Sequence, residues 1–203
     1  VDVLQLFLQA LLGQHILETA VMTLREWHES GIELEQFSIN ISMRQFTHND
    51  FEAQVRELVQ RHLDARLRSR LVFEITESIV AEDINRVIEI MQRLKASLGI
   101  RFSMDDFGTG YSSLSYLTRL PLDELKIDRA FVCTLGRQEE GPAMVATILN
   151  MAEVLKLKIV AEGVETAQQH DFLMRHGCTV LQGFYFSAAL SKDRFVEFFR
   201  SRH

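Results

Sequence analysis

Six short apolar, β-branched runs recur along this chain, at residues 36–42, 71–76, 100–105, 124–127, 157–161 and 179–182. Segments of helical period separate most of them. Ile84, Val87, Ile88, Met91, Leu94 and Leu98 share one helix face, as do Met144, Val145, Ile148, Leu149, Ala152 and Leu155. Ile16, Leu17, Ala20, Val21, Leu24 and Trp27 mark a further helix ahead of the first run. This alternation constrains the fold more than any other feature. Strands joined by helix-sized connections pair in parallel, and runs apolar on both faces suit a sheet covered on both sides. Residues 4–9 read as a seventh strand that passes through Ala10-Leu11-Leu12 into the first helix without a crossover loop.

A closed barrel and an open doubly wound sheet both satisfy that pattern. The polar residues separate them. Asn40, Glu74, Asp105 with Asp106, Lys126 with Asp128, Glu162 and Gln182 stand at the ends of successive runs. Barrel active sites are assembled from many strand ends, whereas an open sheet concentrates chemistry at one switch point. The expected class is therefore α/β, a (β/α) barrel, with residues 1–203 as one domain.

The net charge of −6 and a pI of about 5.7 exclude a protein that holds DNA or RNA polymers through its overall field. A polyanionic ligand would need metal ions to supply positive charge. No run approaches the ~20 apolar residues of a membrane span, so no membrane contact by this domain is expected. The first residues lack a signal-peptide pattern. Cys133 and Cys178 form no C-x-x-C pair, which points to free thiols in a reducing compartment and a cytoplasmic location.

Glu74, Asp105, Asp128 and Glu162 each terminate an apolar strand. They read either as four separate loop caps or as one set brought together by barrel closure. Neighbouring buried carboxylates need a cation, and an all-oxygen set with Asn40 suits Mg²⁺ or Mn²⁺. Two such ions ~3.5–4 Å apart can clamp the attacking and leaving oxygens of a phosphodiester. Lys126, two residues before Asp128 and on the same strand face, reads first as a salt-bridge partner and second as a water-holding ammonium. Glu162 is the natural general base near a metal-bound water, and Glu165 reads as a cap of the helix starting near Thr166. The glycines of Phe107-Gly108-Thr109-Gly110 lack the third glycine of a dinucleotide fingerprint and fit a movable loop better. The histidines have no metal-ligand spacing, and no G-x-S-x-G elbow is present.

As a set, these motifs resemble the EAL-domain family of cyclic-di-GMP phosphodiesterases. The matching stretches are Ser38-Ile39-Asn40-Ile41-Ser42, Phe73-Glu74-Ile75-Thr76-Glu77-Ser78, residues 105–113, Leu125-Lys126-Ile127-Asp128, Val160-Ala161-Glu162-Gly163-Val164-Glu165 and Gln182-Gly183-Phe184. The resemblance implies a modified TIM (β/α)8 barrel that hydrolyses cyclic di-GMP to linear pGpG in bacterial second-messenger signalling. It implies two Mg²⁺ or Mn²⁺ ions held by Asn40, Glu74, Asp105, Asp106 and Asp128. Glu162 would be the base or a metal-site carboxylate, and Lys126 would orient the water. Gln182 and Glu165 would lie at the substrate and metal rim, with Glu77 anchoring the mobile loop 105–113, which in the family links homodimerisation to activity. The alternative within the family is an inactive receptor for the same nucleotide, a class that tends to lose the carboxylates retained here.

Two departures accompany the resemblance. Ser187-Ala188-Ala189 stands where the family often has a basic residue and proline. The Glu-Ala-Leu signature lacks its glutamate, with Ala10-Leu11-Leu12 as its remainder. We therefore expect missing segments after Gln9 and after Leu12 in preference to a true deletion, which would destroy barrel closure.

Overall fold

The computed structural model describes residues 3–77, 83–108, 114–136 and 141–202. They fall into two compact units divided within one strand, after Phe102. The first unit carries α1 (Val3–Glu29), β1 (Phe37–Asn40), α2 (Met43–Phe46), α3 (Phe51–His62), α4 (Ala65–Arg68), β2 (Leu71–Thr76), α5 (Ile84–Leu98) and the start of β3 (Arg101–Phe107). The second carries the rest of β3 and α6 (Leu114–Leu117), β4 (Glu124–Ile127), α7 (Arg129–Val132), α8 (Gly141–Val154), β5 (Lys158–Ala161), α9 (Ala167–Arg175), β6 (Val180–Leu181) and α10 (Lys192–Arg200).

In the first unit β1 and β2 pair in parallel, with Phe37 opposite Leu71 and Asn40 opposite Glu74. Helix α3 packs against both α1 and α5. Phe46, Phe51, Phe73 and Phe102 are buried and form a chain of ring contacts, with centroids 5.3–6.4 Å apart. Each such ring contributes ~1.5–3 kcal/mol through burial, and edge-on pairs add to it. The period of residues 84–98 yields α5 with the bounds it predicts. Asp83 caps its N-terminus by accepting from the Arg86 N–H, and Gly99 closes its C-terminus in the left-handed conformation.

Residues 4–9 depart from the expectation. They are helical, and α1 runs through Gln9 and Leu12 to Glu29. No β-branched residue occurs between Leu4 and Ile16, and Leu, Gln and Ala are strong helix formers. Apolar content alone fits a strand, but the residue types here favour a helix. Six strands therefore stand among the described residues, not seven.

In the second unit β3, β4, β5 and β6 pair in parallel in chain order. β4 is buried at all four positions, which is why its polar members matter below. α9 opens on a capping box in which Thr166 and Gln169 satisfy each other's backbone N–H groups. Both cysteines are free, and burial pushes the Cys178 thiol up to about 11, as befits an inert core thiol.

The chain after β6 passes close over the segment after β5. The Val164 N–H donates to the Gln182 carbonyl at 3.0 Å, and the Tyr185 N–H donates to the Val164 carbonyl at 2.9 Å. Gly183 sits between these bonds, where an added Cβ would lie 2.1 Å from the Val164 oxygen and 2.3 Å from its nitrogen. Backbone cannot yield as a side chain can. We expect Gly183→Ala to cost about 1–3 kcal/mol in chemical denaturation, the usual range for overpacking. An unchanged denaturation midpoint would show that the two segments separate freely.

Candidate functional site

The site of the second unit is built around Lys126. The side chain is an ammonium on a fully buried strand, with the residue 4% exposed. Its Nζ lies 2.6 Å from Glu162 Oε1 and 3.2 Å from Asp105 Oδ1. The parallel register explains the meeting. Ile127 is opposite Ala161, and the Glu162 N–H donates to the Ile127 carbonyl at 3.0 Å, so Glu162 leaves β5 level with the end of β4.

Asp105 and Asp106 are consecutive, and a regular strand would send them to opposite faces. The β3–β4 register slips between Met104 and Phe107, and Asp106 takes a positive φ of 54°. Such a bulge re-aims side chains, and strained backbone of this kind gathers at functional sites. Although Asp106 as a residue is exposed, its carboxyl is pushed above the ordinary carboxylate range. Partial desolvation contributes most, then the negative charges of Asp105 and Asp128, against the opposing charge of Lys126. Asp128 also caps α7, its Oδ1 accepting from the Ala130 N–H at 2.8 Å.

In the first unit Asn40 and Glu74 are register partners on β1 and β2, with Glu74 buried and Asn40 exposed. Glu74 lies two positions inside the end of β2 instead of at its tip. Gln182 follows β6 and is exposed.

Among the described residues, no three His, Cys, Asp or Glu side chains are grouped closely enough to hold a metal ion. Lys126 supplies the positive charge between Asp105 and Glu162. The chemistry of the donors nevertheless fits a hard divalent cation. Asp105, Asp106 and Asp128 offer oxygen alone, and their mutual repulsion, felt at Asp106, is what such an ion relieves.

Glu165 does not cap the helix that follows it; Thr166 does. Glu165 instead accepts from Arg129 Nη2 at 2.6 Å. A pair 36 residues apart leaves no local signal, and sequence reasoning missed Arg129 altogether. Glu77 was expected to anchor the loop 105–113, of which residues 109–113 lie outside the described residues.

The family model described as EAL domain matches residues 3–189. The chain belongs to the EAL domain family. It is 40% identical over 185 residues to the bifunctional diguanylate cyclase/cyclic di-GMP phosphodiesterase MucR of Pseudomonas aeruginosa, covering 91% of this chain and 27% of that protein. A solved structure of the MucR phosphodiesterase as a c-di-GMP complex has a TM-score of 0.86 at 40% identity, covering 93% of this chain and 75% of that one. A manganese/cyclic di-GMP complex of Klebsiella pneumoniae BlrP1 has a TM-score of 0.73 at 28% identity, covering 85% of this chain and 43% of that one. A calcium complex of BlrP1 with the same nucleotide also matches. This EAL domain spans about a quarter of the length of the curated relatives it matches. Membership carries the α/β, TIM-barrel-like fold that the strand–helix alternation together with the polar residues at successive strand ends predicts.

The raised carboxyl of Asp106 has a consequence for stability. Its folded-state pKa lies above the unfolded value, so its ionised form opposes folding once the pH exceeds both. In metal-free EAL domain, Asp106→Asn is expected to melt above the wild type at neutral pH. The margin should shrink as the pH falls toward the carboxylate range. A variant melting below the wild type at pH 7 would mean that attraction to Lys126 outweighs the repulsion.

Proposed function

We propose that this domain is a metal-dependent phosphodiesterase that hydrolyses cyclic di-GMP to linear pGpG. The observation that carries the reading is the buried Lys126 held between Asp105 and Glu162, with Asp106 and Asp128 adding negative charge beside it. Support comes from MucR, whose name states cyclic di-GMP phosphodiesterase activity, and from the BlrP1 complexes that pair this nucleotide with manganese or calcium.

In this proposal Asp105, Asp106 and Asp128 hold divalent cations, two Mg²⁺ or Mn²⁺ ions. When bound, the ions supply Lewis acidity and charge neutralisation for a phosphodiester that this acidic chain would otherwise repel. The protein's own residues do the rest. Glu162 takes a proton from the attacking water as the water oxygen bonds to phosphorus and one P–O ester bond breaks, and the departing ribose oxygen takes up a proton from solvent to become the free hydroxyl of the linear product. Lys126 holds Glu162 and the water in line, a positioning task that costs no reorganisation during reaction. Gln182 lines the rim. In this reading the domain acts as a homodimer in the cytoplasm.

Nucleotide chromatography after incubation with cyclic di-GMP and Mn²⁺ tests the reading. Linear pGpG should accumulate, stop with excess chelator, and fall when Ca²⁺ replaces Mn²⁺, because the larger ion imposes looser geometry. Glu162→Gln and Asp105→Asn should each lower kcat by about 10²–10⁴-fold with the fold intact by circular dichroism. Binding of cyclic di-GMP without turnover by the wild type would establish the receptor alternative. Wild-type rates in either variant would overturn the assigned roles.

A further inference from the structure

Two cations at the end of β4 grip two carboxylates of one turn. Lys126 holds Glu162 at 2.6 Å, and three residues later Arg129 holds Glu165, itself three residues after Glu162, also at 2.6 Å. Resting on the phosphodiesterase reading, we propose that Arg129 is a positioning residue that fixes the turn 162–165 and thereby the aim of the Glu162 carboxylate.

The turn has a shape that needs holding. Gly163 takes a positive φ of 66°, and the Arg129 stem lies directly against it. A Cβ on residue 163 would stand 2.3 Å from Arg129 Cγ and 2.6 Å from Arg129 Cβ. The side chain of Arg129 thus crosses the face of the turn before its guanidinium reaches Glu165. Backbone bonds secure the surroundings: Glu162 N–H to the Ile127 carbonyl, Val164 N–H to the Gln182 carbonyl, and Glu165 N–H to Gln169 Oε1 at 2.8 Å. Arg129 itself starts α7, whose first turn Asp128 caps. The base is therefore tied to β4 on both sides of the strand end, at its carboxylate by Lys126 and at its following turn by Arg129.

The energetics favour placement over stability as the role of this pair. The Arg129 and Glu165 side chains are 59% and 30% exposed, and ion pairs so open to solvent add little to folding. A displacement of ~1 Å at a reacting group, by contrast, can cost ~10²-fold in rate. The pair should be felt in kcat and barely in melting temperature.

The test uses the full chain with cyclic di-GMP and Mn²⁺, and hydrogen exchange of the metal- and nucleotide-free protein. Arg129→Met keeps the stem over Gly163 and removes the guanidinium. It should lower kcat by ~10–100-fold with KM changed by less than about two-fold, and speed amide exchange at residues 162–165 without lowering the melting temperature. Arg129→Lys should recover most of the rate. Glu165→Gln should match Arg129→Met, and the double variant should be no slower than either single. A loss confined to KM would assign the guanidinium to substrate binding and overturn the proposal, as would additive losses. Failure of the wild type to hydrolyse cyclic di-GMP would sink the phosphodiesterase reading alone. The exchange data would then still decide the clamp: faster exchange in Arg129→Met upholds it, and unchanged exchange refutes it.

Discussion

A buried ammonium loses several kcal/mol of hydration, and only well-placed partners offset that loss. Lys126 pays this cost on a strand with no exposed position, and its partners come from two other strands, Asp105 from β3 and Glu162 from the end of β5. The rest of the second unit follows from satisfying it. The parallel register of β4 with β5 sets Glu162 level with Ile127, and the slip in β3 leaves Asp105 on Lys126 while turning Asp106 toward Asp128.

Negative charge remains in excess once Lys126 is paired. Asp106 registers it, its carboxyl pushed up by desolvation and by Asp105 and Asp128 together. A site of this kind is a poor host for a phosphodiester by itself, and its oxygen donors suit hard cations.

The first unit shows the complementary strategy. Part of its interior is a circuit of phenylalanine contacts, Phe51 to Phe46 to Phe102 to Phe73 and back to Phe51, where buried apolar area does the work. Such a core holds β1 and β2 in a register that sets Asn40 beside Glu74. Asn40, Asp128 and Glu162 stand at or just past the C-terminal ends of their strands, while Glu74 and Lys126 are buried within theirs.

Some of this was legible in the chain alone. Residues 71–76, 124–127 and 84–98 show their structure in full, because local residue type and period decide strands and helices flanked by clear caps. The motif residues Glu74, Asp105, Lys126, Asp128 and Glu162 stood out because charge at the end of an apolar run is costly. The sequence could not separate strand from helix at residues 4–9 by apolar content, and there residue propensity decided for the helix. Three features belong to the tertiary structure alone: the pairing of Lys126 with two carboxylates, the slip that re-aims Asp106, and the Arg129–Glu165 pair across Gly163. Each joins residues on different strands or depends on register between them. Local pattern sets what a segment becomes; only packing sets which charges must share the space where the segments end.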